Sequence, residues 1–190
     1  MNILVVSAHP DDEIIGMGGT LKKLSKKNNI SILFLADGIT ARKKSGHVNI
    51  PQYNVSTQEL KKMKEEIKIR KIHAKKALNM LGVKNMKFLD MPDNELDTIP
   101  FLKIVKEVEK KIIQTKCNMI FTHHYNDMNI DHRLAYEATM TASRPIFDST
   151  VSHIISFEAV ARRWGSLYGY DAAEAFEVVM HRVKDFNNFQ

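Results

Sequence analysis

The sequence ILVVSAHPDDE, residues 3–13, decides how the first part of this 190-residue chain folds. Its first four residues are apolar and three of them are β-branched, which predicts a buried strand. The polar residues that follow mark the carboxyl end of that strand, the edge at which open parallel sheets bind ligands. Because Pro10 allows no helix to start before it, His9 and Asp12 can converge from one rigid loop, with Asp11 between them. An imidazole and a carboxylate can together hold a divalent metal ion, and a third ligand must come from elsewhere.

A second apolar run, Met119 to Phe121, also ends in a polar loop, THHYNDMNIDHR at residues 122–133. We expect it to be a strand that ends at the same edge of the same sheet, so that His132 can supply the third ligand. Two histidines and one carboxylate with an open coordination position are typical of a catalytic zinc site. The same ligand types also suit Fe²⁺ or Mn²⁺. Asp11, which is not needed as a ligand, can take a proton from the attacking water and pass it to a leaving group.

Strands and amphipathic helices alternate along the chain and predict a three-layer α/β/α Rossmann-like domain with a mostly parallel sheet. The expected strands are 3–6, 30–35, 86–89, 119–121 and 154–157, and the expected helices follow the glycines at 16–19 and cover 57–81, 101–113, 133–143 and 172–180. Leu21 stands where a dinucleotide-binding fingerprint requires its third glycine, which argues against a nucleotide-binding Rossmann domain. We expect these glycines to let the helix pack closely on a strand.

Composition indicates a single globular domain over residues 1–190. The formal net charge is +6, but the lysines lie in helical stretches among glutamates and have no interleaved aromatic residues, which argues against nucleic-acid binding. The sequence shows neither a signal peptide nor an apolar run long enough for stable membrane insertion, so we expect a cytoplasmic protein. The polar residues between Gly38 and Ser56 lack periodicity, and we interpret them as a mobile flap in which Arg42 contacts the substrate.

These motifs resemble the PIG-L/LmbE-like zinc-dependent N-deacetylase family. Ala8 to Glu13 reproduces the family signature AHPDDE, and the following GMGGT is also typical. The second family signature ends in DH after a loop rich in Asp and His, and Asp127 to His132 matches it. The MPD sequence at Met91 to Asp93 belongs to the same resemblance, which runs from Met1 to about Pro145.

The resemblance implies a zinc site made by His9, Asp12 and His132, with Asp11 as general base and Arg70 supporting the site or the substrate. It also implies hydrolysis of an acetamide to an amine and acetate, mostly on N-acetylglucosamine units carried by lipid, inositol, malate or glycan. The expected partner is therefore a small N-acetylated sugar. The remaining predicted site residues are Asn129 and Asp131 for catalysis, and Arg42, His124 and Asp127 for substrate binding.

Asn129 departs from the pattern of many family members, which have a histidine three residues before the last zinc ligand that is thought to stabilise the oxyanion. An asparagine can donate a hydrogen bond but carries no positive charge. The role can therefore be weaker here, or shared with His123, His124 or Arg133.

A larger departure follows Glu158. Family members usually have a further strand, a helix and a loop before the AEAF segment, which here comes soon after, at residues 173–176. We expect a single LmbE-like deacetylase domain that is shortened after about residue 158. A shortened wall would leave the metal loops intact but could open the substrate pocket, or require a neighbouring subunit of a homo-oligomer to close it.

Two alternatives remain open on the sequence. The first is an amidase of the same family that acts on another amide, such as a thiol conjugate, because the substrate walls and not the metal ligands decide between these substrates. The second is a catalytically impaired sugar-binding homologue, against which the retention of Asp11 beside the ligands argues.

Overall fold

The computed structural model describes residues 1–41, 56–144, 149–159 and 173–181. In chain order its elements are β1 Asn2–Ser7, α1 Asp12–Leu24, β2 Asn29–Ala36, α2 Thr57–Leu81, β3 Asn85–Met91, a 3₁₀ turn Leu96–Thr98, α3 Phe101–Thr115, β4 Met119–His123, α4 Ile130–Ala142, β5 His153–Phe157 and β6 Phe176–His181. The predicted flap lies almost wholly outside these ranges, and so does Arg42.

The six strands form one mixed sheet in the order β3-β2-β1-β4-β5-β6. Strands β1 to β5 are parallel, and β6 runs antiparallel to β5. The strand order reverses at β1, because β2 and β3 lie on one side of it while β4 and β5 lie on the other. A crevice between the carboxyl ends of β1 and β4 is where such sheets bind ligands.

Helices cover both faces of the sheet and bury alternate residues of each strand. On one face, Met17 and Leu21 of α1 and Leu78 of α2 pack with Val5 and Phe34. On the other face, α3 and α4 pack on the intervening strand residues, with Leu4, Ile104 and Ala135 among the fully buried ones. The predicted three-layer α/β/α architecture with a mostly parallel sheet is confirmed.

Helix α2 has the ends that its sequence predicts. The Ser56 side chain accepts the Glu59 N–H and the Glu59 side chain accepts the Ser56 N–H, which is a complete capping box. Gly82 ends the helix in the left-handed conformation, with φ 89°. Ala74 and Leu78 are buried, whereas Leu60 is 46% exposed, so only the second half of the helix packs into the core.

The prediction of a final helix over 172–180 is wrong. Ala172 lies outside the described residues, and Phe176–His181 form β6, which pairs antiparallel with β5. Alanine and glutamate in AEAFEVVM favour a helix locally. The backbone groups along the outer side of β5 need partners, and this pairing supplies them.

Helix α1 contains a break that the C-terminal segment stabilises. Met17 has non-helical backbone angles, φ −149° and ψ 25°, so the second half of α1 has its own unsatisfied N–H groups. The Glu174 carboxylate accepts hydrogen bonds from the Gly19 N–H at 2.6 Å, the Thr20 N–H at 3.0 Å and the Thr20 hydroxyl at 2.6 Å. A carboxylate at this position also matches the positive end of the helix dipole.

No helix in the described part of the chain is long and apolar enough to cross a lipid bilayer.

Gly16 provides the close packing that we expected of the glycines. A Cβ at this position would lie 2.5 Å from Phe157 Cδ2, whereas a Cβ at Gly18 would lie 3.7 Å from Ile14 Cγ2, an ordinary contact. Gly16→Ala should therefore lower the free energy of unfolding by ~1–3 kcal/mol through overpacking. The matched variant Gly18→Ala should keep stability or raise it by up to ~1 kcal/mol, because alanine favours a helix over glycine. Urea denaturation of both variants checks this, and equal stability of the two would contradict it.

Glu13 is a buried acid on α1. Neither of its carboxyl oxygens has a hydrogen-bond partner among the described residues. Burial raises its pKa to about 8, Asp12 and Asp11 add to the rise, and Arg70 opposes it. Folding therefore favours the protonated form of this side chain.

Because the pKa of Glu13 is higher in the folded chain than in the unfolded one, its contribution to stability is complete below about pH 4.5 and is lost as the pH rises to about 8. The free energy of unfolding should fall across this window, by at most about 1.4 kcal/mol per pH unit from this group. Glu13→Gln should remove that part of the slope in metal-free buffer. A variant with the slope of the parent would contradict the assignment.

Candidate metal centre

The loop after β1 and the start of α4 meet at the point where the strand order reverses. His9 lies in the loop, Asp12 is the first residue of α1, and His132 lies in the first turn of α4. Residues of β1 pair directly with β4, and this pairing brings the two polar loops to one edge. All three residues are buried, with 6–7% of the surface of each residue exposed.

Three side-chain atoms converge at this place, as the sequence predicted. His9 Nδ1 and His132 Nε2 each lie 3.3 Å from Asp12 Oδ2. Two atoms bound to a tetrahedral zinc ion at the usual distances lie about 3.3–3.5 Å apart. These atoms therefore fit the coordination of a zinc-sized ion, and the His9 N–H donates to Asp12 Oδ2 at 2.8 Å and fixes that carboxylate.

Carboxylates hold the outer nitrogens of both imidazoles. His9 Nε2 lies 2.9 Å from Asp93 Oδ1 and 3.0 Å from Asp131 Oδ2. His132 Nδ1 lies 3.0 Å from Asp127 Oδ2. A carboxylate that accepts the second N–H fixes the tautomer of a metal-binding histidine and turns its free nitrogen toward the ion.

Asp131 is held in turn by backbone. Its Oδ2 accepts the Asn94 N–H at 2.8 Å and its Oδ1 accepts the Leu96 N–H at 3.1 Å, and the side chain is fully buried. These bonds tie the loop after β3 to the start of α4. Asp131 therefore lies behind His9, on the side away from Asp12.

The charges at this centre favour a cation. Burial opposes protonation of His9 and His132, but the hydrogen bonds that these rings donate to the surrounding carboxylates outweigh it and raise the pKa of His9 to about 11 and that of His132 to about 9. Burial works against the charged form of Asp12 as well, yet the hydrogen bonds that it accepts from His132 and His9 bring its pKa well below the usual value. The carboxylates thus create a field that stabilises positive charge between these residues.

His123 lies beside this cluster and forms, with Asp127 and His132, a second group whose possible ligand atoms lie within 4.8 Å of one another. Its Nε2 accepts the Ala8 N–H at 2.9 Å, so the proton of the neutral ring is on Nδ1, which has no hydrogen-bond partner among the described residues. Complete burial, followed by the nearby His132, lowers the pKa of His123 to about 3. Its ring stacks on His132 with centroids 3.9 Å apart and contacts Phe157 at 4.9 Å. His123 therefore packs as a neutral ring against His132, a residue of the candidate metal centre.

Asp11 is held from the opposite side by Arg70 of α2. It occupies the N-cap position of α1 but makes no capping hydrogen bond with its side chain. Its Oδ2 instead accepts a hydrogen bond from Arg70 at 2.6 Å. The guanidinium lies against Gly38, where φ is +70° and a Cβ would come within 2.9 Å of Arg70 Nε. A glycine is thus needed after β2 for both the turn and the arginine.

The remaining predicted site residues surround this cluster. Asn129 caps α4, with its Oδ1 accepting the Asp131 N–H at 2.8 Å. Asp127 supports His132, and His124 points its Nε2 at Glu177, 3.0 Å away. Arg42 lies outside the described residues.

Asp93 was missing from the predicted site. It follows β3, and the carboxyl end of that strand lies at the same sheet edge as those of β1 and β4. His9 and His132 were predicted to converge because the carboxyl ends of parallel strands lie at one edge of the sheet. The same reasoning applies to Asp93.

The family model described as GlcNAc-PI de-N-acetylase (PIG-L) matches residues 4–143. Diacetylchitobiose deacetylase from Thermococcus kodakarensis is 34% identical over 115 residues, which cover 58% of this chain and 34% of that protein. The matched segment therefore spans about a third of that relative.

Solved structures share the fold. N,N'-diacetylchitobiose deacetylase from Pyrococcus horikoshii, in complex with an inhibitor, has a TM-score of 0.66 at 21% identity and covers 94% of this chain and 83% of its own. GalB from Pseudomonas putida, a 4-carboxy-2-hydroxymuconate hydratase, has a TM-score of 0.69 at 17% identity and covers 97% of this chain and 99% of its own. The shared architecture alone does not separate these two chemistries. The match of the family model across both metal-centre loops does identify the lineage: the chain belongs to the PIG-L (GlcNAc-PI de-N-acetylase) family.

Proposed function

We propose that this protein is a metal-dependent N-deacetylase that hydrolyses the acetamide of an N-acetylated amino sugar and releases acetate. The observation that carries the proposal is the convergence of His9 Nδ1, Asp12 Oδ2 and His132 Nε2, with the Arg70-bound carboxylate of Asp11 next in the chain. The deacetylase activity of the relatives from Thermococcus and Pyrococcus supports the same reaction class.

His9, Asp12 and His132 would hold the metal ion, with zinc as the first candidate and Fe²⁺ or Mn²⁺ as alternatives. When bound, such an ion supplies Lewis acidity that makes water more acidic and polarises the acetamide carbonyl. Asp127 and Asp131 act as positioning residues, because each accepts a hydrogen bond from the outer nitrogen of a ligand histidine.

Asp11 moves the proton. Its carboxylate accepts a proton from the attacking water while the water oxygen forms a bond to the acetamide carbon. As the C–N bond breaks, the protonated carboxyl gives that proton to the nitrogen, so the products are an amine and acetate. Arg70 orients the carboxylate through Oδ2.

Asn129 is the proposed donor to the oxyanion. Its side-chain oxygen already accepts the Asp131 N–H, so its NH₂ group is the end that can donate to a developing negative charge. Because His123 is neutral and buried, it supplies no positive charge for this purpose.

The nearest alternative is an amidase that acts on another amide, such as a thiol conjugate. The same three ligands and the same base would serve that reaction. The two enzymes would differ only in the residues that surround the group carrying the amide.

Replacing Asp11 by Asn should lower kcat for acetate release from N,N'-diacetylchitobiose by ~10²–10⁴-fold, because the amide side chain cannot accept the proton. Metal content by atomic absorption should stay equal to that of the parent. Asp97→Asn, on the exposed 3₁₀ turn, is the matched control and should keep the parental rate. If Asp11→Asn binds metal and keeps more than half of the activity, Asp11 is not the base.

Replacing Asp127 by Asn should weaken metal binding by ~10–100-fold, because His132 loses the carboxylate that fixes its tautomer. Competition with a chromogenic chelator measures the affinity directly. Asp12→Ala, which removes a ligand, should have a larger effect than Asp127→Asn. Equal affinities of the Asp127 variant and the parent protein would place the metal elsewhere.

A further inference from the structure

Two histidines face each other on neighbouring strands, at the edge of the sheet opposite to the candidate metal centre. His153 is the first residue of β5 and pairs directly with His181, the last residue of β6. Their ring centroids are 4.4 Å apart, with an angle of 61° between the ring planes. Phe157, which contacts His123 beside the candidate metal centre, lies at the other end of β5, about 13 Å further along the strand. We call His153 and His181 the histidine pair.

An irregularity in the strand pairing places the histidine pair in register. Continued from the carboxyl end of β5, a regular antiparallel ladder would bring Met180 opposite His153. Val179 is an extra residue in β6, and because of it His181 takes that place instead. Bulges of this kind are frequent next to functional sites, where they re-aim a side chain. The bulge therefore is the feature that sets the two imidazoles against each other.

A chain of hydrogen bonds determines which nitrogen of His153 can bind a ligand. The Ser152 hydroxyl donates to the Asn118 carbonyl oxygen at 3.0 Å. The same hydroxyl oxygen lies 2.9 Å from His153 Nδ1. Because its one proton is already donated, the hydroxyl accepts here, and Nδ1 carries the proton of the neutral ring. The lone pair is therefore on Nε2, and a hydrogen bond that holds one ring nitrogen in this way leaves the other to bind a metal ion.

The spacing of the two rings fits a single ion. Two imidazoles that bind one ion at ~2.0–2.1 Å have their centroids about 4.5 Å apart when the two metal–nitrogen bonds meet at a right angle, and about 5.2 Å apart at the tetrahedral angle. The 4.4 Å between the rings of the histidine pair matches the right angle. Right angles are typical of the square-planar and tetragonal sites of Cu²⁺ and Ni²⁺, both of which bind imidazole.

We propose that the histidine pair is a second metal site, separate from the candidate metal centre, which binds Cu²⁺ or Ni²⁺ through Nε2 of His153 and one ring nitrogen of His181. Because each strand supplies one ligand, the ion ties β6 to β5. The segment just before β6 carries Glu174, whose carboxylate accepts the Gly19 N–H of α1, so the ion also supports that contact. The inference does not depend on the proposed deacetylase activity.

Calorimetric titration of metal-stripped protein with Ni²⁺ tests the site. The parent protein should bind one equivalent more than His181→Gln or His153→Gln, because each variant removes one of the two ligands. His73→Gln, on the exposed side of α2, is the matched control and should bind as many equivalents as the parent. If the parent and both variants of the pair bind equal amounts, the binding is adventitious only and the proposal is overturned.

Two variants of Ser152 test the assigned nitrogen. Ser152→Ala removes the group that holds His153 Nδ1 and should weaken binding of the additional Ni²⁺ ion about tenfold. Ser152→Thr keeps a hydroxyl and should keep the affinity. An unchanged affinity in Ser152→Ala would contradict binding through Nε2.

Amide hydrogen exchange measures the effect on β6. Ni²⁺ should slow exchange at residues 177–180 in the parent protein and in Asp12→Ala, whose candidate metal centre lacks a ligand, but not in His181→Gln. Exchange that does not slow in the parent, or that still slows in His181→Gln, overturns the proposal. A protein that shows this protection but releases acetate from no sugar would reject the proposed function and keep the second metal site.

Discussion

The direct pairing of β1 with β4 is the constraint on which the rest of this molecule depends. Ile3, Leu4 and Val5 pair with Met119, Ile120 and Phe121, so two loops that are more than a hundred residues apart in sequence end at one edge. One loop brings His9 and Asp12, and the other leads into α4 and brings His132. A slip of one residue in this register would turn every side chain of one strand to the opposite face. The hydrophobic core therefore fixes the position of the candidate metal ligands.

Three further carboxylates surround the candidate ligands. Asp93 and Asp131 share one histidine nitrogen, and Asp127 holds another. Burial of so much charge is costly unless each group is bonded. Backbone N–H groups of the loop after β3 meet that requirement for Asp131. One hydrogen-bond network therefore both orders the loop after β3 and holds the negative charge beside His9.

The sequence predicted well whatever depends on short-range pattern. Helix α2 covers the predicted range and ends before Gly82. The convergence of His9, Asp12 and His132 is a long-range feature, and it was predicted because each of two strands is followed by a polar loop at the same edge of the sheet. The sequence prediction failed where long-range pairing overrides local preference, since AEAFEVVM favours a helix but completes the outer side of β5 as a strand. Asp93 was missed because its role depends on three strands ending at one edge. The shortening after about residue 158 stays a prediction.

Glu174 has a consequence for the order in which the chain can fold. Its carboxylate accepts the N–H of Gly19, 155 positions earlier. This bond satisfies an amide group left free by the break in α1, the helix that carries Asp12. A ribosome makes α1 about 155 residues before Glu174, so during that interval the second half of α1 has its amide groups in water and lacks its final anchor. His9 and Asp12, two of the candidate metal ligands, are therefore made well before the segment that completes the helix behind them.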